Sequence, residues 1–172
     1  MEDTDGGFHL DIDGLEDRLE DDTRLVMLCN PHNPIGRVYS RQELEAMAEI
    51  CLRHDVVICS DEIHCDLVFS GHEHIPIASL DPEIARNTVT LMAPSKTYNI
   101  AGLKCSFAVI QNEELRQEFC AARAGLVVAG GRPAAGAAVP AAPPCPAPGR
   151  LAPAPRLAGR TRAAQESARA RR

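Results

Sequence analysis

The stretch from Leu25 to Cys59 constrains the architecture more than any other. Leu25-Val26-Met27-Leu28-Cys29 is a continuous apolar run of strand length, and continuity rather than alternation is the pattern of a strand buried on both faces. Ser40-Arg41-Gln42-Glu43 follows as a capping box: the serine hydroxyl can accept from the Glu43 amide while the Glu43 side chain reaches back. Leu44, Met47, Ala48, Cys51 and Leu52 then recur at helical spacing, which predicts a helix over Arg41–Arg53 with one buried face. His54-Asp55 ends it, and Val56-Val57-Ile58-Cys59 reads as the next buried strand. Strand, helix and strand in that order close as a βαβ unit, with parallel strands and a right-handed crossover. The expected fold class is therefore α/β, a mostly parallel sheet flanked by helices.

Shorter signals surround this unit. Phe8, Leu10 and Ile12 alternate with polar residues and predict an edge strand, after which Leu15 and Leu19 mark one face of a brief helix over Asp13–Glu20. Pro82-Glu83-Ile84-Ala85 starts a short helix, and Thr88-Val89-Thr90-Leu91-Met92 is a β-branched strand stopped by Pro94. Ser106-Phe107-Ala108-Val109-Ile110 is a further strand, followed by a helix from Glu113 to Phe119.

Beyond Cys120 the chain changes character, so the expected division is a folded part over 1–120 and a tail over 121–172. The tail holds 18 alanines, nine arginines, eight prolines and six glycines, with Glu166 as its single acid. That gives it a net charge of +8 and leaves −14 for the remainder of a chain whose total is −6. Eight prolines oppose helices and central strands, and large aliphatic side chains are too sparse to offset the entropy of ordering, so disorder is expected. The abrupt onset also resembles a shifted reading frame of GC-rich DNA or a misread exon. No aromatics interleave with its arginines, so neither nucleic acid nor membrane is an expected partner.

No run approaches the roughly 18 to 20 apolar residues needed to span a bilayer. Glu2, Asp3 and Asp5 oppose the basic start of a signal peptide, so a cytoplasmic location is expected. Seven cysteines, an odd number without a CxxC pair, read as small buried hydrophobes rather than a disulfide framework or zinc site.

Several strand ends carry chemistry. In open α/β sheets ligands bind outside the carboxyl ends of the strands. Asn30-Pro31-His32-Asn33-Pro34-Ile35-Gly36 makes a sharp turn after the first strand of the unit and holds Asn33 with its carboxamide available. The second strand delivers Asp61, with His64 about a turn further on. The Thr88 strand delivers Lys96, in the small-residue loop Ala93-Pro94-Ser95-Lys96-Thr97. A lysine held there and partly desolvated has its pKa pushed down, which makes its amine a usable nucleophile. Amine, carboxylate, imidazole and amide together fit pyridoxal 5'-phosphate, which needs an amine for its aldehyde and an acid to keep its ring nitrogen protonated. A metal site built from Asp61, Glu62, His64, Asp66, His72 and His74 is the rival reading, with irregular spacing against it.

The segments Asn30 to Val38, Ser60-Asp61-Glu62-Ile63-His64-Cys65-Asp66-Leu67 and Ala93 to Leu103 resemble the class I/II aminotransferase family of fold-type I pyridoxal-phosphate enzymes. Within it they are most similar to the cystathionine β-lyase branch, which cleaves carbon–sulfur bonds. The resemblance runs from Phe8 to Phe119 and implies a fragment of the family's large domain. It implies that Lys96 bonds the cofactor aldehyde and then moves the substrate proton, that Asp61 pairs with the ring nitrogen, and that Asn33 lies near the phenolic oxygen. His64 falls where many aminotransferases have a tyrosine, Lys104 where they place a phosphate-binding arginine, and Ala93 where they have a phosphate-binding serine.

The implied activity is β-elimination from cystathionine or an S-substituted cysteine, giving a thiol, pyruvate and ammonia. The alternatives are transamination by the same residues, or an inactive fragment that acts only by association. The resemblance also implies a small amino-acid substrate and a homodimer. Family members are longer, so three of their parts are expected to lie outside this chain: a glycine-rich phosphate turn, an aromatic stacked on the ring, and a carboxyl-terminal domain that grips the substrate carboxylate.

Overall fold

The computed structural model describes residues 2–4 and 7–123. Its main sheet has four strands in the order β3-β4-β5-β6, formed by β3 (Leu25–Cys29), β4 (Val57–Asp61), β5 (Thr88–Met92) and β6 (Phe107–Ile110). The first three are parallel and β6 runs antiparallel to β5. The α/β class with a mostly parallel sheet is thus observed. A separate hairpin pairs β1 (Glu2–Thr4) with β2 (Gly7–His9). The alternation predicted over Phe8 to Ile12 is therefore cut short, because Asp11 caps Gly14 N at 2.8 Å and starts α1 (Ile12–Asp17).

The βαβ unit forms as its pattern requires. Ser40 and Glu43 make the reciprocal capping box at the start of α2 (Arg41–Arg53), an arrangement whose hydroxyl is worth about 1 kcal/mol over alanine. Leu44, Met47, Ala48 and Cys51 are buried, as is Ile50. Leu44, Met47, Ala48 and Cys51 pack with Leu28 and Ile58 of the sheet and with Ile77 of a 3-10 turn (Ile77–Ser79) that precedes α3 (Pro82–Arg86). Leu44, Ile58 and Ile77 are fully excluded from solvent, each stabilising the fold by about 1.5–3 kcal/mol through burial.

Two expectations are corrected. Burial of both faces of β3 does not hold: Leu25 and Met27 are 47% and 71% exposed. The strand lies at the sheet edge, and side chains alternate between faces, so only Val26 and Leu28 reach the core. The cysteines are also mixed in character. Cys51 and Cys59 are buried free thiols, but Cys29 and Cys65 are half-buried and Cys105 is exposed.

At the other end of the described chain, α5 covers Glu113–Arg123 and so enters the first residues of the segment read as tail. The rest of that segment, residues 124–172, lies outside the described residues.

Candidate functional site

The parallel register puts three strand ends side by side. Cys29, the last residue of β3, pairs with Asp61, the last of β4, and Asp61 pairs with Leu91 of β5. Backbone bonds carry the ladder one step beyond: Asn30 N donates to Asp61 O and Glu62 N to Leu91 O, both at 3.0 Å. The loops leaving all three strands therefore start from one edge. Because β6 is antiparallel, its first residue, Phe107, pairs with Met92 at that edge too. Lys104, just before β6, arrives there by a route that the sequence pattern did not reveal.

The turn after β3 is closed by His32 N donating to Arg37 O at 2.8 Å and Gly36 N to His32 O at 2.7 Å. Gly36 has φ +73°, a conformation that suits a residue without Cβ. Asn30 is completely buried and braces the turn from inside, its carboxamide accepting from Tyr39 N at 3.1 Å and donating to Ile75 O at 3.4 Å. Asn33, the candidate, is left exposed at the tip. Arg37 pairs with Glu43 of α2 at 2.8 Å and lies 5.3 Å from the Tyr39 ring centroid, which fixes the turn to the helix. Burial pushes the Tyr39 phenol up to about 12.

Asn33 and His64 line one cleft of about 580 Å³, together with Arg37, Phe69 and His72. Asp61, Lys96 and Lys104 do not line it. Asp61 is half-buried at the end of β4, and its Oδ1 accepts from Ile63 N at 3.2 Å. Its Oδ2 has no partner among the described residues. The neighbouring charge of Asp61, after burial, helps raise the Cys59 thiol. His64 follows in the next turn, with a buried Nδ1 that has no hydrogen-bond partner among the described residues.

Lys96 sits in a short helix, α4 (Pro94–Thr97), rather than in an irregular loop. It is exposed, so the expected desolvation of its amine is not met here. A contact across the edge fixes its surroundings: Thr97 Oγ1 donates to Asp66 Oδ2 at 2.8 Å, linking α4 to the segment that follows His64. Lys104 caps the 3-10 turn Ala101–Leu103 in a left-handed conformation, φ +50°.

Glu62 and His74, which the sequence offered only as candidate metal ligands, are instead a buried pair behind this edge. Glu62 is 1% exposed, and it accepts from Ser60 Oγ at 2.9 Å and pairs with His74 Nε2 at 2.9 Å. Strand alternation could have found Glu62, since a residue next to an outward Asp61 must face inward; nothing local pointed to His74. Among the described residues no three His, Cys, Asp or Glu side chains gather as a metal site. No helix among them is long and apolar enough to cross a membrane.

Three groups of the kinds that pyridoxal phosphate requires leave this edge. An unshared carboxylate oxygen on Asp61, an exposed carboxamide and a lysine amine without an ion pair among the described residues arrive from successive strands.

Comparison with known proteins gives the following. The family described as aminotransferase class I and II matches residues 2–144. Cystathionine beta-lyase PatB of Bacillus subtilis (strain 168) is 48% identical over 118 residues, covering 68% of this chain and 30% of that protein. Kynurenine--oxoglutarate transaminase 3 of Rattus norvegicus is 40% identical over 95 residues, covering 55% of this chain and 21% of that protein. The crystal structure of cystalysin from Treponema denticola, which contains a pyridoxal 5'-phosphate cofactor, superposes with a TM-score of 0.68 at 39% identity, covering 70% of this chain and 31% of that one. The chain thus spans between a fifth and a third of the length of these relatives.

Proposed function

The chain belongs to the aminotransferase class I and II family, and we propose that it is part of a pyridoxal-phosphate-dependent lyase that breaks a carbon–sulfur bond in an amino acid. The family is pyridoxal-phosphate-dependent, and its members similar to this chain include both carbon–sulfur lyases and aminotransferases. The observation that carries the reading is the shared register of Cys29, Asp61 and Leu91, which starts the loops bearing Asn33, His64 and Lys96 from one edge.

Lys96 would hold the cofactor through its aldehyde, Asp61 would face the ring nitrogen, Asn33 the phenolic oxygen, and Lys104 would offer a point charge to the phosphate. When bound, pyridoxal phosphate supplies an electron-withdrawing ring that acidifies the Cα–H of an attached amino acid. Lys96 Nζ takes that proton, and the carboxylate of Asp61 holds the proton on the ring nitrogen. The substrate loses its Cα proton and its thiolate; the thiolate leaves as a thiol, and 2-aminoacrylate takes up water to give pyruvate and ammonia.

The substrate class is cystathionine or an S-substituted cysteine, and a homodimer in the cytoplasm belongs to the same proposal. Transamination by the same residues is the second reading, favoured by the 40% identity to the rat transaminase. Assay of the cofactor-loaded chain with cystathionine separates the two. Pyruvate released without a keto-acid acceptor supports the lyase. Amino transfer to an added keto acid, without pyruvate release, replaces it with the transaminase.

A further inference from the structure

Glu62 is the most deeply buried carboxylate among the described residues, and no step above uses it. It lies one residue past β4, where the backbone still follows the ladder through the Glu62 N to Leu91 O bond. Side chains alternate along such a segment, so Ser60 and Glu62 face one way and Asp61 the other. On the inward side the Glu62 carboxylate is held from three elements. Ser60 Oγ donates from its own strand at 2.9 Å, His74 Nε2 from the following loop at 2.9 Å, and Ile77 N from the 3-10 turn at 3.4 Å. The Glu62 and His74 side chains are 1% and 8% exposed. A carboxylate taken this far out of water persists only when its oxygens are satisfied, so the three donors must stay where they are.

We propose that Glu62 and His74 are positioning residues, a clamp behind the sheet that fixes the backbone at the end of β4 and so the direction of the Asp61 carboxylate on the front. Asp61 is flanked on both sides by anchored residues, Ser60 at 0% exposure and Glu62, so its φ and ψ are set at both ends. Its Oδ1 is then turned onto Ile63 N at 3.2 Å, which leaves Oδ2 without a partner among the described residues. Freeing Glu62 lets residues 61–63 relax and removes that direction. The role of Asp61 toward the ring nitrogen rests on the function proposed above; the clamp itself does not.

The test reads both levels separately. In the cofactor-free chain, the Ile63 amide reports the Asp61 carboxylate, and the Ile58 amide, bonded to Asn87 O at 2.9 Å, reports the sheet. Glu62→Leu is expected to speed Ile63 hydrogen exchange by about tenfold with Ile58 unchanged, and Glu62→Gln, which keeps the shape and an acceptor, restores it to within about threefold. Should Glu62→Leu fail to fold, Ser60→Ala, which removes one donor of three, carries the same comparison with about a threefold effect. In the loaded chain, the dissociation constant for pyridoxal 5'-phosphate should rise with Ile63 exchange across these variants. Ile63 and Ile58 exchanging faster together, or neither changing, or an unchanged cofactor constant beside a loosened Ile63, overturns the clamp. A wild-type chain that never loads Lys96 overturns the proposed function instead, and leaves the exchange comparison to decide the clamp.

Discussion

The Thr97 hydroxyl donates to Asp66 Oδ2 at 2.8 Å, so the short helix that carries Lys96 is tied to the segment that follows Asp61 and His64. Two segments 31 residues apart in sequence are joined at the sheet edge by this bond. Thr97→Val should therefore lower capture of pyridoxal phosphate at Lys96 several-fold, while the melting temperature moves by only a few degrees, since an exposed hydrogen bond contributes about 0.5–1.5 kcal/mol. Equal capture by the variant and the wild type would show that the tie does not position the amine.

Glu43 gives the fold a defined response to acid. Burial works to raise its pKa, but hydrogen bonds from Ser40 and the Arg37 guanidinium outweigh it and hold the carboxyl below its ordinary value of 4.5. A depressed folded value means stability that is present above about 4.5 and is lost as pH falls through the folded pKa. Melting curves of wild type and Glu43→Gln should differ by a constant margin well above the ordinary carboxyl value and converge as pH falls through the depressed folded value. A margin that widens on acidification contradicts the assignment.

The thiols should separate by burial. Burial pushes Cys51 up to about 11, and burial followed by the Asp61 charge raises Cys59, whereas Cys105 is exposed. Thiolate is the reactive form, so an alkylating reagent at pH 8 modifies Cys105 first and reaches Cys51 and Cys59 only on unfolding. Peptide mapping with Cys51 labelled as fast as Cys105 would contradict the packing of α2 on the sheet.

Where local pattern and tertiary demand agreed, the chain was readable. Ser40, Glu43 and the apolar face from Leu44 to Cys51 describe α2 almost residue for residue, and Thr88–Met92 is β5 as its β-branched run requires. Leu25-Val26-Met27-Leu28-Cys29 misled because an apolar run reports that a strand can be covered, not that both faces are. Phe8 to Ile12 failed because the Asp11 cap started a helix inside the alternation. At the site, the placement of Asn33 and Lys96 after strand ends, and of Asp61 at one, followed from their neighbours. The antiparallel return that brings Lys104 to the same edge, and the pairing of Glu62 with His74 across 12 residues, depend on contacts that no local pattern encodes.

Reductive trapping reads out which amine bonds the cofactor aldehyde. The chain holds two lysines, Lys96 and Lys104, so borohydride reduction with pyridoxal phosphate followed by peptide mapping has few places to put the label. A single pyridoxyl adduct is expected on Lys96, absent from Lys96→Ala. An adduct on Lys104 in place of Lys96, or equal labelling of the two, would contradict it.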